Sequence, residues 1–427
     1  MMHLHDVFGI SPGVIATYVE RGVDETFKAC IETKKHILVH GSSKQGKTTL
    51  RKRHLPPERC VAVSCQAEWD LSKLYLAILR KIGCHPEIRE ERTTTGGGTI
   101  SVGFKIPGTG LKFGGQKQAA ENTIGTYTSR SIDPDDPNDI IAGLADVQFD
   151  KWIAVEDFHY LPPETQRKFA EHLKVFFDES NIRFVIIAIS TAKNIVTTVG
   201  DLASRVVSVD ADHWHKHELA ELIERGEGLL NIQFPKSCKE EILKLSEGSV
   251  YIVQEVCNAL CQQEQVRRAQ ETLASVGQAQ SVGPIVDEVV GALSPHYLAF
   301  LEAFAQGHQI TELEMYKWIL YAVLSASIEE LKLGLRYDWI VEVITREHPR
   351  GNELSTANIR SALRKVSELQ WKKNIKPFVV DYDEAGTRLH IVDKSYYIWR
   401  RRQEKSMLLQ HIGWNAQRAL PKRKSGR

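Results

Sequence analysis

His40-Gly41-Ser42-Ser43-Lys44-Gln45-Gly46-Lys47-Thr48-Thr49 follows directly on an apolar run, Ile37-Leu38-Val39, and fits the pattern G-x-x-x-x-G-K-[ST]. A phosphate presents several negative oxygens that need dense, fixed donors. A loop bent at Gly41 and Gly46 can turn its backbone N–H groups inward around them, where side chains would obstruct. Lys47 then reaches the terminal phosphates as a point charge, Thr48 offers a hydroxyl to Mg²⁺, and the helix expected over Thr49-Leu50-Arg51-Lys52-Arg53 adds the positive end of its dipole. The expected ATP site therefore runs from Gly41 through Ser42, Ser43, Lys44, Gln45, Gly46, Lys47 and Thr48 to Thr49. A bare glycine turn would lack the flanking strand and helix.

Upstream, Tyr18 and Arg21 precede a helical pattern from Asp24 to Glu32, and they either contact the base or pack and solvate the surface. Downstream, Cys60 to Cys65 reads as a short buried strand, and Asp70 to Ile82 as a helix with Leu71, Leu74, Tyr75, Ile78 and Leu79 on one face. Alternating strands and helices start a parallel sheet. The composition then shifts, with eight glycines between Thr93 and Gly115. Ile100, Val102, Phe104 and Ile106 alternate before Pro107-Gly108-Thr109-Gly110, and Leu111 and Phe113 follow, which signals a β-hairpin inserted on the surface at residues 93–131.

Trp152-Ile153-Ala154-Val155-Glu156-Asp157-Phe158-His159 is an apolar strand ending in two acids. Beside a phosphate loop, the first acid, Glu156, is placed to hold Mg²⁺ together with Thr48, and the second, Asp157, to orient the attacking water. Asp157 is one methylene shorter than glutamate, so hydrolysis is expected to be slow. Pro162 to Ser180 reads as a helix and Ile182 to Ile189 as a strand covered on both faces, ending in Ser190-Thr191, which either senses the terminal phosphate or caps a helix. Asp201 to Arg205 then leads into strand Val206-Val207-Ser208-Val209.

Through the phosphate loop, the acidic strand, the strand ending at Ser190-Thr191 and the Arg205 segment, residues 18–261 resemble the AAA+ and STAND group of ATPases, particularly the branch of origin-recognition and Cdc6-like initiators. The resemblance implies ATP and Mg²⁺ as cofactors, ATP hydrolysis, and a homo-oligomeric switch. It makes Lys47, Glu156, Asp157 and Arg205 the catalytic set, with Arg205 as an arginine finger reaching a neighbour's ATP, and Ser190 or Thr191 as sensor 1. It also makes residues 211–283 a helical lid and linker after a core at 1–210. Where the family has a sensor 2 arginine after Gly248, this chain has Ser249-Val250-Tyr251, which favours a switch over a fast motor.

In the C-terminal third, Gly283-Pro284 is expected to break a helix tail. Ser355 starts a helix with Ile359, Leu363, Val366 and Leu369 inward, and residues 377–382 and 387–392 flank a turn. Helix, helix, hairpin makes residues 284–399 a winged-helix domain, a fold the same branch carries. It binds either DNA, through Arg360, Arg364, Lys365 and Arg388, or a protein. Residues 400–427 hold nine Lys or Arg against Glu404 alone and are expected to form a flexible basic tail that binds DNA backbones or is simply solvated.

The totals constrain the rest. The 427 residues, 42% hydrophobic and 26% charged with a net charge of +1, indicate a globular α/β protein without a global field for nucleic acid. Seven cysteines without zinc spacing suit a reduced, cytoplasmic setting. No run of about 18 apolar residues occurs, so no membrane partner is expected. Two functions compete: a DNA-linked assembly switch, and a STAND-type signalling or anti-phage defence ATPase whose winged helix binds a separate effector protein. A metabolic kinase is disfavoured, because no acceptor-site pattern appears.

Overall fold

The computed structural model describes residues 2–9, 13–91, 99–107, 127–189, 202–309 and 312–414. Its centre is a parallel sheet of five strands: β1 (His36–His40), β2 (Cys60–Ser64), β6 (Trp152–Glu156), β7 (Arg183–Ala188) and β8 (Val206–Asp210), in the spatial order β2-β6-β7-β1-β8. The central strands read as continuous apolar runs because helices cover both faces. On one face Leu38, Ile153, Val155, Phe184 and Ile186 meet Leu74, Tyr75, Ile78, Phe169, Leu173 and Phe176. On the other Ile37, Val39, Ala154, Val185 and Ile187 meet Phe27, Leu50 and Leu55. The acidic strand β6 does not pair with β1, since β7 lies between them. Their carboxyl ends nevertheless open on the same edge of the sheet, which brings the phosphate loop and the acids together.

Inserted after helix Leu71–Ile82 is a separate antiparallel sheet of β3 (His85–Glu91), β4 (Thr99–Pro107) and β5 (Tyr127–Ile132), ordered β3-β4-β5. The inserted sheet thus begins before residue 93, and β4 pairs with strands on both sides instead of one hairpin partner. Leu111 and Phe113 lie outside the described residues.

Beyond the sheet, helices Lys216–Leu230, Lys236–Leu245, Val250–Gln263 and Ala279–Gly291 form a bundle, with the short β9 (Ile232–Gln233) and β10 (Ala274–Ser275) paired at its edge. Gly283-Pro284 lies inside the last of these helices and does not end it. Val282, Ile285, Val286 and Val290 are buried in the bundle, and that packing outweighs the cost of the missing proline N–H. The same apolar core continues without a break into the C-terminal module.

That module contains helices Ser294–Gln306, Met315–Ser325, Ile328–Leu333, Tyr337–Glu347, Thr356–Arg364, Val366–Lys372, Lys394–Arg401 and Lys405–His411. Its three strands are β11 (Leu335–Arg336), β12 (Val380–Asp383) and β13 (Arg388–Ile391), ordered β11-β13-β12. The helix begun at Ser355, whose hydroxyl caps the Ala357 amide, breaks at Lys365. Buried Gln370 explains the second segment's placement. Its amide donates to Val366 O and Val380 O and accepts from the Val379 and Val380 amides, tying helix Val366–Lys372 to β12.

The basic stretch at 400–402 is folded, not a flexible tail. Arg400 donates to Leu324 O, Arg401 pairs with Glu247 and Glu329, and Arg402 pairs with Asp287. Residues 415–427 lie outside the described residues. Among the described residues, all seven cysteines are buried and unbonded, and no helix is long and apolar enough to cross a membrane.

Candidate active site

The loop after β1 takes the shape its glycines permit. Gly41 (φ 150°) and Gly46 (φ 85°) have backbone conformations that side chains disfavour, and a Cβ on Gly41 would lie 3.0 Å from the Asp212 nitrogen. Gly46 also stands at the start of helix Lys47–His54, whose unpaired N–H groups face the loop. The Lys47 ammonium donates to Gly41 O (2.9 Å) and Ser42 O (2.5 Å), lying across the loop. Burial pulls that ammonium down to about 8, while the charges of Asp212 and Asp157 act to hold it up.

At the end of β6, Glu156 Oε2 accepts from the Thr48 hydroxyl at 3.4 Å, while Oε1 takes both Nε (3.1 Å) and Nη2 of buried Arg51. A carboxylate oxygen and a hydroxyl therefore converge where Mg²⁺ would sit, hard oxygen donors that suit this ion and leave it room for water. Asp157 follows in a left-handed conformation (φ 56°) that turns the chain into a single helical turn, Phe158–Tyr160. Its carboxyl is pushed up by burial and by the adjacent Glu156, against the pull of Lys47 and Lys376.

Lys47, Thr48 and Asp157 line one cavity of about 370 Å³, a size suited to a small ligand. Its polar lining includes residues 43–49, Asp157, His159 and Arg21, and its aromatic and apolar lining includes Tyr18, Val19, Trp214, Leu222, Val250 and Tyr251. Both residues suggested for base contact thus line the cavity, and each is locked by a neighbour: the Tyr18 hydroxyl on Asp24, and Arg21 stacked 3.9 Å from the centre of Trp214. Lys44 reaches over the Tyr251 ring at 4.0 Å. Trp214, which also donates to Gln45 O at 3.2 Å, lies outside the residues expected from the sequence. Its place two residues after Asp212, at the start of the bundle, is the signal that was there to be used.

Asp212 and the C-terminal module were missed as well. Asp212 Oδ1 accepts the Ser42 amide at 2.7 Å, and Lys394 donates to its carbonyl at 2.5 Å while lying 3.4 Å from Oδ1. The Ser43 amide donates to Val392 O at 3.0 Å. Trp371 donates to Ala67 O, and Phe378 and Val392 pack with Ile189 and Tyr160. The module therefore sits on the phosphate loop itself, a contact spanning some 350 positions that no local pattern could announce.

Other expected residues are dispersed. Ser190 and Thr191 lie outside the described residues. Arg205 is away from this chain's own cavity, paired with Asp178 at 2.8 Å. Arg364 pairs with Glu384, Arg388 donates to Leu333 O and Gly334 O, Arg360 lies 4.7 Å over the Tyr337 ring, and Lys365 is exposed at the helix break.

No family model and no curated protein matches the chain. Solved structures do. The Walker-type ATPase PABY2304 of Pyrococcus abyssi superposes with a TM-score of 0.56 at 13% identity, over 92% of this chain and 99% of that one. The Orc1 protein of Aeropyrum pernix, solved in complex with DNA, gives 0.44 at 11% identity over 96% of both chains. RuvB of Thermotoga maritima, a Holliday junction branch migration motor, gives 0.38 at 13% over 93% and 96%. Identity this low speaks of fold and not of activity. With a phosphate loop at the end of one parallel strand and paired acids at the end of another, the chain has the P-loop fold of that Walker-type ATPase.

Proposed function

We propose that this chain binds ATP and hydrolyses it slowly, as an oligomeric switch whose nucleotide state governs assembly and DNA contact. One observation carries the reading: residues 43–49 of the phosphate loop and Asp157 line one cavity together with the aromatic and apolar side chains of Tyr18, Trp214, Leu222 and Tyr251, and Glu156 accepts from the Thr48 hydroxyl beside it. A nucleotide asks for both kinds of lining, charged and polar groups for its phosphates and aromatic or apolar ones for its base.

In this reading the loop amides after Ser43, together with Lys47, bind the phosphates, since the Ser42 and Ser43 amides donate to Asp212 and Val392 O. Tyr18, Arg21 and Trp214 enclose the base, and Glu156 Oε2 with Thr48 holds Mg²⁺, which supplies charge neutralisation when bound. Asp157 orients water from its turn after β6. Its short side chain, one methylene less than glutamate, favours a slow reaction. Arg205 would act on a neighbouring subunit's nucleotide, and to do so it must leave Asp178. Ser190 or Thr191 is the proposed sensor 1. The helices at 356–372 with β11, β12 and β13 are read as a winged helix, the surface on which DNA or protein would dock.

Binding of a fluorescent ATP analogue, ATP turnover with and without double-stranded DNA at rising salt, and sedimentation with and without nucleotide test this together. Lys47→Ala should abolish binding, whereas Asp157→Asn should keep binding and stall turnover. Protein indifferent to nucleotide would end the reading.

One observation favours the second function, a STAND-type signalling ATPase acting on a separate effector protein. Arg364, Arg388 and Arg400 to Arg402 are engaged within the chain by acids or carbonyls, which lessens their availability to DNA phosphates. Turnover unaffected by DNA at low salt would support that alternative.

A further inference from the structure

The lid lacks a sensor 2 arginine, yet a polar group outside the expected set stands beside Lys47. His159, two residues after Asp157, lines the same cavity as Lys47, Thr48 and Asp157. Its Nδ1 is buried and has no hydrogen-bond partner. Such an atom is costly and calls for an explanation, a functional role or a bound ligand among them.

The ring is held in a fixed place. It lies 4.2 Å from the Tyr160 ring centre and meets Phe378 of the C-terminal module edge-on at 5.7 Å. Its backbone carbonyl is within 3.5 Å of the Gln166 amide nitrogen. Burial and the charges of Lys47 and Lys376 pull the imidazole down to about 3, so it is neutral and carries one N–H and one acceptor. Lys47, Asp157 and His159 line the same cavity, so a ligand held by Lys47 shares that cavity with both.

We propose that His159 is a ligand of the terminal phosphate, donating a hydrogen bond from its ring to a γ-phosphate oxygen and so distinguishing ATP from ADP. The assignment rests on the ATP reading of the site. It gives the chain, from the turn after its acidic strand, a phosphate-sensing group that the lid does not provide. It also puts that group against Phe378, so the terminal phosphate bears on the surface where the C-terminal module meets the sheet.

The test measures the affinities of the full-length protein for ADP and for the non-hydrolysable β,γ-imido analogue of ATP, both with Mg²⁺. His159→Phe keeps a ring against Tyr160 and Phe378 but has no N–H; His159→Asn places an amide nitrogen near where Nδ1 lies. Loss of one hydrogen bond to a charged oxygen should weaken the analogue about ten- to hundredfold in His159→Phe and leave ADP within about twofold. His159→Asn should recover most of the difference. His159→Ala gives the same comparison if the phenylalanine variant does not fold.

An analogue-to-ADP ratio unchanged in these variants, or an equal fall for both nucleotides, overturns the assignment and leaves the ATP reading standing. Wild-type protein that binds neither nucleotide overturns that reading and this inference with it.

Discussion

Replacing Glu156 by glutamine should damage the fold as well as the proposed metal site. Glu156 Oε1 is the partner of Arg51, whose side chain is only 5% exposed; that of Glu156 is 11% exposed. Removing one member of a buried ion pair leaves the other charge uncompensated, at a cost of about 3–5 kcal/mol. Glutamine still offers an oxygen to one guanidinium N–H, which places the expected loss near the lower figure. For a body of about 200 residues around the parallel sheet each kcal/mol moves the melting temperature by about 2–4 °C, so Glu156→Gln should melt roughly 6–12 °C below wild type without nucleotide. The double variant Arg51→Met, Glu156→Gln removes the stranded charge and should regain most of that loss, a coupling that a thermal double-mutant cycle measures directly. Asp157→Asn removes a carboxylate already disfavoured by burial and by Glu156, and should not lower the melting temperature. A shift below about 2 °C in Glu156→Gln, or a double variant no better than the single one, would refute the reasoning.

Lys394→Ala should loosen the C-terminal module from the phosphate loop, losing a half-buried contact worth about 1–2 kcal/mol, and hydrogen exchange at the Ser43 amide should quicken; unchanged exchange there would count against the contact. His36 is buried between Leu173 O (2.9 Å) and the Phe184 amide (3.1 Å), and its imidazole is pulled down to about 4 by burial. The unfolded chain therefore takes up a proton that the fold refuses, so stability should decline as pH falls from about 6.5 to about 4, by at most about 3 kcal/mol, and His36→Gln should flatten that limb of the denaturation profile. Asp381 behaves oppositely, because burial pushes its carboxyl up to about 7 despite hydrogen bonds from Ser367 and the Tyr382 amide. The fold keeps a proton that the unfolded chain gives up, so stability should decline as pH rises from about 4 to about 7. Asp381→Asn should remove that decline, stabilising the protein at pH 8 by at most about 4 kcal/mol, and a variant no more stable than wild type at pH 8 would refute it.

What the sequence determined by itself was whatever depends on neighbours along the chain. Glycines at 41 and 46, lysine at 47 and hydroxyl at 48 dictate a phosphate loop through backbone sterics and charge. Apolar runs such as 153–155 and 184–188 dictate parallel strands because only strands covered on both faces bury every side chain. The same local logic placed the helix starts at Asp70 and Ser355 and the two acids at the end of β6. Tertiary structure decided what depends on distant partners. β7 came to lie between β1 and β6, packing carried a helix through Gly283-Pro284, and Lys365 broke a helix that periodicity alone would have continued. The arginines at 400–402 became partners of folded segments, Arg400 of the Leu324 carbonyl and Arg401 and Arg402 of acids, instead of a solvated tail. Above all, Asp212, Trp214, Val392 and Lys394 reached the loop only through folding, since a hydrogen bond such as Ser43 N–H to Val392 O is a property of three-dimensional closure, and no residue's own chemistry records which distant carbonyl will meet it.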